Sequence, residues 1–387
     1  MHMFARWLVR MAIVLIIAAL VVGFWKKDEI KRLLAVNSLF SEETIVFNFS
    51  NMNQAFLHRD VYRGDGPVSD LPRGTGIELP QAVHEWITER SVTSLLVLKR
   101  GVIVHESYHL GTGPEDRRIS WSMAKSFLSA LVGILVTNGE IDSLESPVTK
   151  YAPALSGTAY DGATIRDVLH MASGVKFDED YLDPKSDINR MGRVLALGGT
   201  MDDFTTSITG TISRPGDKWK YVSIDTHVIA MVVRGATGRD LPTLLSEFVI
   251  APLGLEASPY YLTDGVGVAF ALGGLNMRTR DYARFGLMFE QNGSYGNTQV
   301  VPADWVSVST QPTAPTEVGK TGYGYQWWVP NGANTGVFMA RGVYGQYIYI
   351  DQTLDTVIVT TGADRKFRDV GVSDRNIAIF RTIATAL

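Results

Sequence analysis

The sequence predicts an α/β domain whose single sheet is built from strands near both ends of the chain, with a helical region inserted between them. Three observations carry this. Residues 95–99 and 102–108 alternate apolar and polar side chains around Arg100-Gly101, the pattern of a β-hairpin. The middle, about 140–320, shows the spacing of helices rather than strands. The last third returns to strand patterns at 323–329, 344–350 and 356–361, before a helix from about Asp374. Strands at both ends with helices between them fit one layered domain.

Taken in order, the chain opens on an uncharged apolar run from Met11 to Trp25, with Arg6 and Arg10 before it and Lys26 and Lys27 after it. A span needs about 20 apolar residues, and adding Trp7 to Val9 while Arg10 snorkels brings the run close to that length. No small-x-small cleavage site precedes Lys26, so an uncleaved signal anchor with an exported, periplasmic or extracytoplasmic domain is expected. Residues 1–27 are then the anchor, 28–75 a stalk and lead-in ending in Leu71-Pro-Arg-Gly-Thr-Gly76, and 76–387 the folded domain, with its helical region at about 140–320. Helices are expected at 80–90 (apolar at 83, 86 and 87), 122–138, 164–171 (stopped at Gly174), 225–237, 241–249 and 279–291.

With 387 residues, 45% hydrophobic and 20% charged, the chain is long enough for a packed core. A net charge of -4 and no basic stripe give no sign of a nucleic-acid partner. The chain has no cysteine, which excludes disulfides, thiol catalysis and cysteine-ligated zinc.

Ser122-Met-Ala-Lys125 opens the helix at 122–138, and Lys125 is the only charged residue before Glu140. Residues three apart on a helix share a face about 5–6 Å apart at Cβ, so the amine can reach the hydroxyl. A serine needs a base to become a nucleophile, and a lysine serves only where burial or a neighbouring cation lowers its pKa. The same four residues also fit an N-cap serine beside a snorkelling lysine. Ser173-Gly-Val-Lys176 repeats the spacing, but Gly174 breaks the helix there. Tyr221-Val-Ser223 places a tyrosine before a helix, where it can relay a proton or simply sit on the surface. Arg341-Gly-Val-Tyr-Gly-Gln346 opens a strand; its glycines allow a close backbone approach, or merely a tight turn.

His105-Glu-Ser-Tyr-His109 matches a zinc-protease pattern that needs a helix. On the strand expected here, residues four apart lie about 13 Å from each other. Zinc bonds of about 2.0–2.1 Å do not bridge that distance. Asp178, Glu179, Asp183 and Asp187 lack the order of a calcium-binding loop and read as a solvated acidic loop.

Ser-x-x-Lys, Tyr-x-Ser and a glycine-rich strand, in that order, resemble the penicillin-recognising serine hydrolases: class C β-lactamases, D-Ala-D-Ala peptidases and their esterase and amidase relatives. The resembling stretches are SWSMAKSF, TIRDVLHMASGVKFDEDYLDP, WKYVSIDTHVIAMVV, GGLNMRTRDYARFGLM, GYGYQWWV and GVYGQYIYIDQTLDTVIV. They run from about residue 95 to the end and are most similar to the 6-aminohexanoate-dimer (nylon oligomer) hydrolase branch. The resemblance implies a three-layer fold, an antiparallel sheet flanked by helices with an inserted helical region. It implies Ser122 as nucleophile, Lys125 as its base, Tyr221 as proton relay, and the N–H groups of Ser122 and Val343 as oxyanion hole. It also implies that Glu179, Tyr181, Asn276 and a tryptophan of the Trp327-Trp328 pair, taken as Trp327, line the substrate site. Tyr181, the tryptophans and Tyr344 suggest an apolar cleft.

Two departures weigh against a β-lactam substrate. The Lys-Thr-Gly of β-lactamases is replaced by Gly-Val-Tyr-Gly, while Lys320-Thr-Gly322 falls one strand too early. Ser223 stands where those enzymes have asparagine. The expectation is an acyl-enzyme hydrolase of small-molecule esters or linear amides that needs no metal or cofactor. A β-lactamase or D-Ala-D-Ala carboxypeptidase is the alternative within the fold, and a non-catalytic membrane-tethered binding protein the alternative outside it.

Overall fold

The computed structural model describes residues 2–387. Among the described residues the strands are β1 (His58–Asp60), β2 (Val92–Lys99), β3 (Val102–Tyr108), β4 (Arg118–Ile119), β5 (Tyr260–Leu262), β6 (Leu275–Met277), β7 (Ser294–Tyr295), β8 (Thr298–Gln299), β9 (Gly322–Tyr323), β10 (Trp328–Val329), β11 (Val337–Gly342), β12 (Gln346–Asp351) and β13 (Thr356–Gly362). Seven form the main sheet in the order β3-β2-β13-β12-β11-β10-β9, with every neighbouring pair antiparallel. Strands from both chain ends therefore meet at the β2–β13 pair, as the sequence pattern predicts. The β2–β3 turn has Arg100 and Gly101 both left-handed, at φ 50° and 72°, the backbone of a type I′ two-residue hairpin turn.

The longer helices are α1 (His2–Trp25), α2 (Lys27–Ser38), α3 (Gln81–Glu89), α4 (Ala124–Asn138), α5 (Asp187–Leu197), α6 (Ser223–Thr237), α7 (Thr279–Glu290) and α8 (Val372–Thr385). Alternation along β2 explains the three layers. Leu95 and Val97 join one core with Val83, Trp86 and Ile87 of α3 and Ile377, Phe380 and Ile383 of α8. Leu96 and Leu98 face the opposite core, which holds α4, α6 and α7. Side chains two apart on a strand share a face, so both faces of the sheet are covered. Gly286 lets α7 lie close on the sheet, since a Cβ there would fall 2.6 Å from Val357 and 2.8 Å from Ile348.

Three expectations change. Residues 323–329 form a hairpin, not one strand: Gln326 turns the chain at φ 64°, and β9 and β10 pair antiparallel. The helical middle carries strands too, because β5 and β6 join β1 and β4 in a second sheet, β1-β5-β6-β4. Residues 28–75 are not a free stalk. Leu39, Ile45, Phe49, Met52, Phe56 and Val61 are buried in the main core. Helix α2 docks on α5, with Arg32 Nε donating to the Ala196 carbonyl at 3.0 Å. By contrast, the apolar stretch Phe4–Trp25 of α1, 22 residues long, is left uncovered by the rest of the chain and is long enough to cross a membrane.

Candidate active site

Ser122 lies in a single 3-10 turn, Trp121–Met123, that leads directly into α4. Every residue of α4 from Ala124 to Leu135 is buried, and Gly139 ends the helix in the left-handed conformation at φ 85°. The residue before Ser122 is unusual. Trp121 is left-handed at φ 43°, a conformation that costs a bulky residue of order 1–3 kcal/mol. It turns the chain sharply, so that the Ser122 side chain lines a cavity of about 380 Å³ while Met123 and Ala124 point into the core.

Lys125 is 1% exposed, and burial lowers its pKa to about 7 against the opposing pull of Glu179 and Asp225. Its Nζ donates to Thr226 Oγ1 at 3.2 Å and to the Ser223 carbonyl at 3.4 Å, both at the start of α6. Thr226 Oγ1 in turn donates to Gln326 Oε1 at 2.7 Å, and Gln326 Nε2 to the Leu169 carbonyl at 2.8 Å. The amine is thus held by neutral oxygens, with no carboxylate in contact. Burial favours the neutral form of this amine far more than in an ordinary lysine.

Tyr221 sits between the two. Its ring lies 5.5 Å from Lys125 Nζ and stacks on Trp328 at 5.3 Å. Burial pushes its phenol up, and the nearby Ser122 side chain draws it back down. Glu179 accepts from the Ser223 backbone N–H and lies 3.3 Å from Ser223 Oγ; burial raises its pKa. Burial likewise raises Tyr181, next to the Glu179 charge. Asp225 is fully buried, accepts from Tyr160 at 2.8 Å and Ser173 at 2.9 Å, and burial pushes it up to about 7.

Strand β11 brings the glycine-rich segment against the serine. A Cβ on Gly342 would fall 2.5 Å from the Ser120 carbonyl and 3.1 Å from the Ser122 nitrogen, so only glycine fits. That contact holds the end of β11 against the backbone of Ser122, and Val343, the next residue, lines the same cavity as the serine. Tyr344 follows in the left-handed conformation, φ 62° and ψ 21°, and stacks on Phe40 with ring centroids 5.0 Å apart.

Ser122, Tyr181 and Val343 line two cavities that meet at the serine. Glu179 and Tyr221 line the first and Tyr344 the second. Two expected residues stay out of both. Trp327 has no exposed surface and packs among Phe285, Phe289 and Phe338; its neighbour Trp328 is the tryptophan at the site. Asn276 is also fully buried, on β6 opposite Ile119, with its Nδ2 donating to the Gly274 carbonyl.

The other sequence patterns resolve by geometry. Ser173 is buried against Asp225 while Lys176 is exposed, so the second Ser-x-x-Lys does not converge. His105 and His109 both bond to the Ser107 hydroxyl at 3.0 Å along β3, and Glu106 faces Arg280 and Arg73. Lys320 is exposed ahead of β9, at the far edge of the sheet from β3. Sequence reasoning missed Thr226, Gln326, Arg341 and Phe40. Of these only Arg341 carried a signal, its place two residues before Val343.

Comparison with known proteins places this geometry. The family model described as beta-lactamase matches residues 87–379. A 6-aminohexanoate-dimer hydrolase of Paenarthrobacter ureafaciens is 31% identical over 315 residues, covering 77% of each chain. The solved structure of a Bacillus anthracis protein assigned as a 6-aminohexanoate-dimer hydrolase superposes with a TM-score of 0.79 at 23% identity, over 90% of this chain and 95% of its own. A penicillin binding protein from Bacillus halodurans gives a TM-score of 0.59 at 16% identity, over 77% of this chain and 99% of its own. The two structural matches speak for the fold, which the antiparallel sheet between helical layers bears out.

Proposed function

The chain belongs to the beta-lactamase family and is a hydrolase related to 6-aminohexanoate-dimer hydrolase, and from that premise we propose that it cleaves an ester or amide through an acyl-enzyme on Ser122. The observation that carries the reading is that Ser122 opens to the cavities three residues before Lys125, a buried amine 5.5 Å from the Tyr221 ring whose pKa burial brings to about 7. Lys125 takes the Ser122 proton as the hydroxyl oxygen attacks the carbonyl carbon. The resulting oxyanion is held by the N–H groups of Ser122 and Val343. Tyr221 passes a proton to the leaving group and recovers one from the Lys125 ammonium, so the acyl-enzyme forms with no net proton change. Water, activated by the same groups, then attacks the acyl carbon and frees Ser122.

Glu179 fixes the start of α6 through Ser223, and with Tyr181 and Trp328 it shapes the first cavity. Helix α1 serves as a membrane anchor, a reading supported by its uncovered apolar length, and the domain it carries is proposed to lie outside the cytoplasm. Alkaline carbonate extraction that released the full chain from membranes would remove the anchor. Intact mass after exposure to esters and linear amides tests the chemistry: an acyl increment on Ser122, absent in Ser122→Ala together with turnover, is expected. Undiminished turnover by Ser122→Ala refutes it.

One feature favours keeping β-lactams in that panel. Arg341 lines the first cavity, with Nη1 on Ser373 Oγ at 2.8 Å, and a guanidinium there can hold a substrate carboxylate in place of the absent lysine. Nitrocefin turnover exceeding that of every ester would favour the β-lactamase reading.

A further inference from the structure

We propose that the second cavity is an acyl-chain cleft and that the substrate is a membrane amphiphile: a long apolar acyl chain joined by an ester or amide bond to a polar leaving group. This rests on the serine-hydrolase reading, because that reading assigns the two sides of Ser122. Tyr221, the donor to the leaving group, lines the first cavity and not the second. The leaving group therefore lies on the Tyr221 side, and the acyl group must lie on the other.

Both cavities expose mostly apolar surface, and they differ in charge. Glu179, Arg341, Arg368 and Asp369 line the Tyr221 side and suit a polar leaving group, whereas Arg193 is the one charged residue along the second cavity. The second cavity, about 360 Å³, is walled mainly by apolar side chains, among them Phe40, Met52, Phe270 and Leu272. Its size lies in the range of pockets that enclose a small ligand, roughly 300–1,000 Å³.

Helix α5 supplies one wall through Ile188, Met191, Gly192 and Leu195, spaced i, i+3, i+4, i+7 on a single face. Gly192 is the telling residue. Glycine inside a helix is about 1 kcal/mol less favourable than alanine. Here it has an ordinary negative φ, and a Cβ added to it would meet no atom within 4 Å. Neither backbone conformation nor protein packing calls for glycine at this point. The space it leaves is on the cleft side, which is what a chain lying along α5 requires.

The opposite wall connects to the membrane helix. Val36 and Asn37 of α2, with Leu39 and Phe40 just after it, line the cleft. Helix α2 follows α1 after a single residue, Lys26, and is fastened to α5 by Arg32. Ile30 and Leu34 of α2 and Leu182 at the cleft rim are exposed apolar side chains. A cleft walled by the segment that leaves the bilayer is placed to take a chain from the bilayer.

The test uses the full chain in phosphatidylcholine vesicles with p-nitrophenyl butanoate, octanoate and dodecanoate. Each methylene withdrawn from water is worth at most about fourfold in kcat/KM, or about 0.8 kcal/mol. A rise of about tenfold or more from butanoate to dodecanoate is expected, and a flat or falling series overturns the proposal while leaving the serine hydrolase intact. In Gly192→Phe, whose ring would occupy the cleft, the dodecanoate-to-butanoate ratio should fall about tenfold; Gly192→Leu provides a smaller obstruction if the first variant does not fold. An unchanged ratio in a folded variant overturns the proposal. Dodecanoate dissolved in the protein's own vesicles should react faster than the same ester in separate protein-free vesicles, and equal rates overturn delivery from the membrane. No turnover of any ester and no adduct on Ser122 would instead bring down the underlying serine-hydrolase reading, and the proposal with it.

Discussion

Replacing Thr226 by valine tests the base directly, because it removes one atom from the Lys125 environment and keeps the shape. Thr226 Oγ1 accepts from Lys125 Nζ at 3.2 Å. A hydrogen bond to a charged group contributes about 1.5–3 kcal/mol, and one pKa unit corresponds to about 1.36 kcal/mol. The neutral amine keeps part of that interaction, so the loss to the ammonium form is about one unit, from the pKa of about 7 that burial sets to one near 6. The sign follows from the role. Lys125 accepts a proton only as free base, so kcat/KM for a p-nitrophenyl ester falls about tenfold per unit below its pKa and levels off above it. At pH 6 about one lysine in eleven is free base in the wild type and about half in the variant, a relative gain of about fivefold against each enzyme's own plateau. The variant's plateau should drop, because a less basic amine is a weaker proton acceptor. The profile is read from about pH 5 to 9 with background hydrolysis subtracted. An acid limb that stays in place or moves to higher pH in Thr226→Val would show that Lys125 is not the group whose ionisation controls the reaction.

Tyr221→Phe should lower kcat by about 10²–10⁴ while the ring keeps its stack on Trp328, so that circular dichroism is unchanged. Gly133→Ala should destabilise the domain by about 1–3 kcal/mol in urea melts, since its Cβ would lie 2.2 Å from the Trp305 ring and the gain in helix propensity is smaller than that clash. Arg284→Met should cost about 3–5 kcal/mol in the same assay: Arg284 is 2% exposed, bonds Asp281 at 3.1 Å and Glu256 at 3.3 Å, and leaves both carboxylates short of a partner when removed. Gly192→Ala should stabilise by up to about 1 kcal/mol, visible as a higher melting temperature, because the glycine is there for the cleft and not for the helix.

The sheet was legible because its signal is local. Leu95 to Leu98 sends alternate side chains to two different cores, and Arg100-Gly101 occupies the one turn geometry that joins such strands tightly. The motifs holding Ser122, Lys125, Tyr221 and Val343 stood out in the sequence, and the structure brings three of them to one cavity with the buried Lys125 5.5 Å from the Tyr221 ring; their proposed roles are what the predictions above test. Residues that depend on distant partners were not. Leu39, Phe49 and Met52 have no periodicity to mark them as core, and nothing local marks the exposed Phe40 as the partner of Tyr344, because such partners lie beyond residue 120 or on irregular loops. Trp327 and Trp328 differ in surroundings and not in any local pattern: Trp327 leaves the Gln326 turn into a cluster with Phe285, Phe289 and Phe338, while Trp328, the first residue of β10, lines the cavity. Thr226 and Gln326 meet at 2.7 Å across 100 residues of sequence, a pairing that no local pattern encodes.

The segment between α1 and the sheet also bears on the chemistry. Two aromatic residues in left-handed backbone bracket the groups proposed to react: Trp121 just before Ser122, and Tyr344 just after Val343. Each conformation costs of order 1–3 kcal/mol and persists only where the surroundings hold it. What holds them is one aromatic cluster. Phe49 packs edge-on to Trp121 at 5.4 Å and to Tyr344 at 5.4 Å, while Phe40 stacks on Tyr344 and lies 5.9 Å from Trp121. Aromatic pairs contribute about 0.5–1.5 kcal/mol each beyond their burial, so four of them can offset two strained residues. Arg118 ties the same segment down, with Nη1 donating to the Val46 carbonyl and Ser50 Oγ on the short helix that carries Phe49. The backbone that presents Ser122 and Val343 is therefore braced by residues 40–50, which lie just beyond α2. A change at the membrane surface that shifted α2 would reach the strained pair before it reached Lys125, so it would alter oxyanion geometry while leaving the acid limb at pH 7 in place.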